Sequence, residues 1–202
     1  MTELEEADDL EGPDWTDNHR LNTWLAERRA AFPAWGRETS GGTAEWDFSP
    51  ESLDRLEDLV RGVFRTYEEI SAAQDEPFLV GAAWYFGEVQ VRQCGAVWRW
   101  CPQPSEEPDN PYDVPMVQGP ERVPDEDEDE YDDCWEDDDH LHVCNPMSTL
   151  CGLYLRAPNE EERLRDALKA YTWPAHAARR VNSVWSSSRP GLQTESAIAI
   201  LA

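Results

Sequence analysis

A buried-looking carboxylate, a histidine–cysteine triplet and a dense acidic run are the parts of this 202-residue chain whose side chains could do chemistry. Glu88 stands inside the longest weakly charged apolar stretch, Pro77 to Cys101 (PFLVGAAWYFGEVQVRQCGAVWRWC), which holds three of the ten tryptophans. Burial raises a carboxyl pKa and can leave the group poised as a general acid or base. The competing reading is structural: an ion pair with Arg92 four residues on, or acceptance of a hydrogen bond from a tryptophan N–H or the Tyr85 hydroxyl. No partnered nucleophile or second acid lies near Glu88 in the sequence, so no catalytic residue is assigned.

His140, His142 and Cys144 alternate along HLHVCNP, and strand alternation points all three to one side. Neutral imidazole plus thiolate suits zinc or copper, and Cys134 or an acid from Asp137 to Asp139 would complete four ligands. Against this, H-x-H-x-C beside an acidic run matches no standard zinc spacing. Histidines on one face of an edge strand are ordinarily solvated or paired with nearby carboxylates. The three remain candidates, and neither a metal nor a cofactor is assigned.

The acidic run DEDEDEYDDCWEDDD places Asp125, Asp127, Asp129 and Glu136 at positions 1, 3, 5 and 12 of a calcium loop. Position 6, where the turn needs glycine, is Glu130, and no flanking helix pair is evident. Two readings stay open, a solvated acidic loop and a contact surface for a basic partner. In the second, Glu126, Asp127, Asp129, Tyr131, Trp135 and Asp137 make the contact, because aromatics within a charged rim anchor interfaces.

The charge is concentrated rather than spread. Residues 1–18 hold eight acids and residues 125–139 hold twelve, with no Lys or Arg in either; removing those twenty from a net charge of −26 leaves −6 for the rest. Like-charge blocks repel themselves and behave as disordered interaction tails or loops. Direct nucleic-acid binding is disfavoured, since phosphate neutralisation needs clustered Lys and Arg, whereas mimicry of a phosphate chain stays open. The chain carries no Gly-rich phosphate loop, no GxSxG and no HExxH. Five cysteines without a CxxC pair favour free thiols. No apolar run approaches the roughly 18–20 residues of a membrane span. The acidic MTELEEADDLEG lacks the positive and apolar regions of a signal peptide. The expectation is a soluble, cytoplasmic protein.

The elements that must hold these groups follow from periodicity. Asp17 or Asn18 caps a first helix, with Leu21, Trp24, Leu25 and Arg28 at helical spacing, that FPAWG ends near Ala31. Ser49-Pro50-Glu51 starts a second, from Leu53 through Tyr67, with Ser49 as cap and Pro50 in the first turn. Phe78 to Gln93 forms a third, apolar almost all round and therefore buried, stopped by Gly95. AVWRWC then alternates as a strand, YDVPMVQG is a weak strand whose Pro115 suits a sheet edge, HLHVCNP is a third strand, and MSTLCGLYL reads as a short helix, with a strand as the alternative. Asn159 to Glu162 has capping-box-like spacing before a last helix with Leu164, Ala167, Leu168 and Tyr171 on its apolar face.

The stretch SPESLDRLEDLVR…GAAWYFGEVQVRQCGAVWRW resembles a recurring family of small bacterial proteins of unknown function. These share a Ser-capped leucine helix, an aromatic-Gly-Glu helix and a short glycine turn into a tryptophan-containing strand. The resemblance covers Phe48 to Trp100, with a looser echo in HLHVCNP; the acidic insertion and the C-terminal tail depart from it. It implies a fold and no settled activity.

Together these readings give an α+β protein: a small, mainly antiparallel sheet packed on two central helices within a single domain, 18–177. Around that domain lie a disordered acidic leader (1–17), an acidic insertion (121–139) and a flexible tail (178–202). The function expected is that of a non-enzymatic acidic interaction protein, an immunity-type inhibitor or phosphate mimic that binds a basic partner protein. The alternative is a metal-binding protein or enzyme using Glu88 or the His140/His142/Cys144 strand. The sequence does not set the oligomeric state.

Overall fold

Helix boundaries in this chain are set by a few capping side chains and by how far aromatic packing carries each helix past them. The computed structural model describes residues 13–41, 46–107, 110, 112–120, 142–155 and 163–171. All of them belong to one unit, 1–171; a second, 172–202, lies outside the described residues. Helix α1 spans His19–Thr39. Asn18 caps it, its side-chain oxygen accepting the Leu21 N–H at 3.0 Å while its amide donates to the Trp100 carbonyl at 2.9 Å. The helix does not stop near Ala31 but continues through Pro33. Proline removes one ladder bond and crowds the preceding turn. On either side of it, however, Phe32 and Trp35 stack against Tyr85 (5.8 and 6.1 Å between ring centres), and the Trp35 indole donates to the Phe78 carbonyl at 2.9 Å. Long-range packing, invisible to local propensity, extends the helix.

Helix α2 covers Ser52–Val63. Ser49 performs the expected capping one turn earlier, its hydroxyl accepting the Ser52 N–H at 3.2 Å. Leu53, Leu56 and Val60 are fully buried, while Val63 is half exposed. The expected continuous helix breaks at Phe64, whose backbone is extended, and a short helix α3 (Tyr67–Ala72) starts afresh. Thr66 caps α3 by accepting the Glu69 N–H at 3.3 Å, and Glu69 reaches back to the Arg65 N–H at 2.7 Å. T-x-x-E is a helix-start signal. Here it outweighs the apolar stripe that runs across it.

Helix α4, Pro77–Cys94, is the axis of the domain: Ala82 through Gln90 are all buried, and Gly95 terminates it at φ +71°, a conformation glycine adopts without a Cβ clash. It packs against α1, α2, the strands β1 (Val97–Arg99) and β2 (Met116–Gln118), helix α5 (Pro146–Gly152) and the 3₁₀ helix Leu164–Tyr171. The third strand, β3, is Val143–Cys144. The sheet is antiparallel in the order β1-β2-β3, with Trp98 opposite Val117 and Val117 opposite Cys144 on the face turned to α4. The β2 strand is therefore central, not an edge; Pro115 sits one residue before it and costs the ladder no bond. Opposite this face Arg99 is buried, its guanidinium 5.1 Å above the Trp15 ring and bonded to Gln118.

Asn145 caps α5 by accepting the Ser148 N–H at 3.1 Å. Past its end, the Tyr154 hydroxyl donates to the Val60 and Phe64 carbonyls (3.1 and 3.2 Å), serving the last carbonyls of α2. The last helix is 3₁₀ rather than α, and its expected start at Asn159–Glu162 lies outside the described residues. Its first turn is tied by side chains: the Arg163 N–H donates to Asp166 and the Leu164 N–H to Glu57, both at 2.7 Å. The i, i+3 repeat then aligns Leu164 with Ala167 and Leu168 with Tyr171.

Candidate functional site

The acidic insertion enters and leaves the domain at one point. The Gly119 N–H donates to the His142 carbonyl at 2.7 Å, extending by one step the register that pairs Gln118 with Val143. Residues 120–141 thus connect two adjacent strands, and their ends are fixed on a sheet whose inner face is buried. The contact candidates Glu126, Asp127, Asp129, Tyr131, Trp135 and Asp137 all lie outside the described residues, as does His140.

The base of this connection is built around Tyr171. Its ring lies against Gly119, where a Cβ would come within 2.9 Å of it, and meets the His142 imidazole edge-on at 4.6 Å. Its hydroxyl donates to the Gln90 Oε1 at 2.5 Å; Gln90, fully buried, in turn donates to the Cys144 Sγ at 3.7 Å, and Cys144 lies 3.4 Å from the Thr149 Oγ1. A polar chain from phenol to amide to thiol to hydroxyl thus runs between α4, β3 and α5. Burial drives the Cys144 thiol above its ordinary range and holds the His142 imidazole below its own. A thiol kept protonated is a poor nucleophile and a poor metal ligand. Among the described residues, no group of three His, Cys, Asp or Glu side chains is placed to hold a metal ion. Gln90 was not singled out from the sequence, and Tyr171 was read only as part of the last helix's apolar face. A glutamine within a wholly apolar helix face was the signal that could have found the first.

Glu88 is 5% exposed, and both of its oxygens are engaged. Oε1 accepts the Trp98 indole N–H at 3.0 Å, and Oε2 accepts Arg92 at 3.3 Å. Both structural partners foreseen for it, the cation at i+4 and a tryptophan N–H, are present together. A carboxylate so engaged orients Trp98 against α4. The second interior acid, Glu57, went unnoticed in the sequence. At 2% exposure it accepts Arg61 at 2.9 Å and the Leu164 N–H at 2.7 Å, joining α2 to the 3₁₀ helix.

Burial pushes six acidic protons in one direction. The thiols of Cys94, Cys144 and Cys151 and the phenols of Tyr85, Tyr154 and Tyr171 all titrate above their ordinary values, desolvation being the main cause in each. When a folded-state pKa exceeds the unfolded one, the unfolded chain loses its proton first, so stability falls as pH rises between the two values. The thiol contribution is intact below about pH 8.5 and is lost progressively above it, and the phenols follow from about pH 10. Urea midpoints measured from pH 7 to 11 should stay level to about pH 8.5 and then drop continuously. A midpoint unchanged at pH 11 would contradict this burial.

Compared with known proteins, the chain matches no family model, no curated protein and no solved structure. Among the described residues, no helix is long and apolar enough to cross a membrane.

Proposed function

We propose that this chain is a non-enzymatic acidic binding protein that presents residues 121–139 to a basic partner protein, in the manner of an immunity-type inhibitor or a phosphate mimic. The observation that carries the reading is the Gly119–His142 closure, which anchors a segment holding thirteen acids to a buried sheet at both ends. Anchoring lowers the freedom such a segment loses on binding, and like charge at this density steers a cationic partner toward it. The two interior carboxylates, Glu57 and Glu88, support the same reading, since both are engaged in holding the fold.

The test compares the full chain with a variant in which 126–139 is replaced by a short Gly-Ser connection, a change that leaves the Gly119–His142 base in place. Each is immobilised, partners are captured from lysate of its source cells at low and high salt, and the recovered protein is titrated against both forms. A basic partner held at least about tenfold more tightly by the full chain, with the difference shrinking as salt rises, is expected. Equal, salt-insensitive binding by both forms would overturn the proposal.

A further inference from the structure

The 3₁₀ helix Leu164–Tyr171 is held from its two ends. At the first, Arg163 reaches Asp58 at 2.9 Å, Glu57 at 3.4 Å and Asp54 at 3.6 Å, and Arg165 reaches Asp54 at 3.1 Å. At the other, the Tyr171 hydroxyl closes on Gln90. Within the helix only Leu164 and Leu168 are buried, with Ala167 and Tyr171 partly buried against the core. Eight residues is long for a 3₁₀ helix, whose hydrogen-bond geometry is poor and whose runs rarely exceed three or four residues. The segment therefore depends on its attachments more than on its own backbone. We propose that residues 163–171 are a detachable strap, clasped to α2 by ion pairs and latched by Tyr171, whose local release uncovers the Gln90–Cys144 contact while α1, α2 and α4 stay folded.

Two features set release of the strap apart from global unfolding. Most of the clasp is reachable by solvent: the Arg163, Arg165 and Asp58 side chains are 39%, 50% and 70% exposed and Asp54 31%, with only Glu57 buried at 3%. Ion pairs at such exposure are weakened by added salt, whose screening length falls from about 10 Å at 0.1 M to about 3 Å at 1 M. The core contacts beneath, Leu164 and Leu168, are apolar and indifferent to that screening. Segments with few buried apolar contacts are also those that open locally. Opening makes Cys144 the natural reporter, because its thiol accepts from Gln90, the residue that Tyr171 closes on. Cys151, on α5 and packed toward α4 and α3, serves as the internal reference.

The experiment is alkylation of the full native chain by N-ethylmaleimide, with the rate at each cysteine read by mass spectrometry. Arg163→Ala combined with Arg165→Ala should raise the Cys144 rate about tenfold with Cys151 unchanged, and raising NaCl from about 0.05 to 0.5 M should do the same in the wild type. Should the double variant fail to fold, Arg165→Ala alone and the wild-type salt series carry the test. Acceleration of Cys144 and Cys151 in step, or a Cys144 rate that neither salt nor the variants move, would overturn the proposal.

Discussion

Gly87→Ala should lower the unfolding free energy by about 3 kcal/mol, the upper end of what overpacking costs. A Cβ at this position would stand 2.2 Å from both Cη2 and Cζ2 of Trp98 and 3.1 Å from the Val117 Cγ2. The indole cannot easily yield: its N–H is bonded to Glu88, it packs edge-on against Trp24 at 5.2 Å, and its backbone is paired with Val117. The sheet must therefore lift from α4, or the Trp98–Glu88 bond must break. At about 2–4 °C per kcal/mol for a domain of this size, the melting temperature should fall by about 10 °C. Gly62→Ala is the control. It lies in α2 with nothing within 4 Å of the added methyl, and should stabilise by up to about 1 kcal/mol through helix propensity. Denaturant melts of the two variants decide the matter, and similar shifts in both would show that the close approach of α4 to Trp98 is not what glycine serves.

That contact also shows which parts of the fold were legible in the sequence. Helix α4 was, because near-uniform apolarity over sixteen residues followed by glycine admits few other readings, and its small residues announced close approach without naming what approaches. The Ser49-Pro50 start was legible because capping is local. What escaped depends on residues far apart in the chain. Helix α1 passes Pro33 because Phe32 and Trp35 find Tyr85, some fifty residues on. The 3₁₀ helix owes its first turn to Glu57, 107 residues from Leu164. At the candidate site the acidic charge was plain from composition, but the closure that fixes its two ends is a matter of strand register, which no local pattern specified. Glu88 lies between these cases: its i+4 cation is local, and Trp98 is ten residues away across the Gly95 turn.

Tyr85→Ala should cost about 4–5 kcal/mol, the range for removing a large buried aromatic, and Tyr85→Phe about 2 kcal/mol, the penalty for a buried donor left without its acceptor. The ring is wholly buried and stacks on Phe48 at 4.8 Å, with Trp46 edge-on at 5.0 Å. Its hydroxyl donates to the Ser52 Oγ at 2.6 Å and accepts the Phe48 N–H at 2.9 Å. Phe48 needs that support. Its φ of +59° is the left-handed region, which costs an L-residue about 1–2 kcal/mol. The remaining constraints are Gln93 donating to its carbonyl at 2.8 Å and the Arg92 guanidinium 3.5 Å over its ring. Tyr85, Gln93 and Arg92 all project from α4, so one helix holds the strained turn that leads into α2. Ser52→Ala separates the two halves of the hydroxyl's role. If the Phe48 N–H is the group that matters, Tyr85→Phe costs nearly as much in the Ser52→Ala background as in the wild type, because either background strands that donor. If the cost vanishes once Ser52 is gone, the bond to Ser52 carries the energy instead, and the turn at Phe48 is held by its ring and by Gln93.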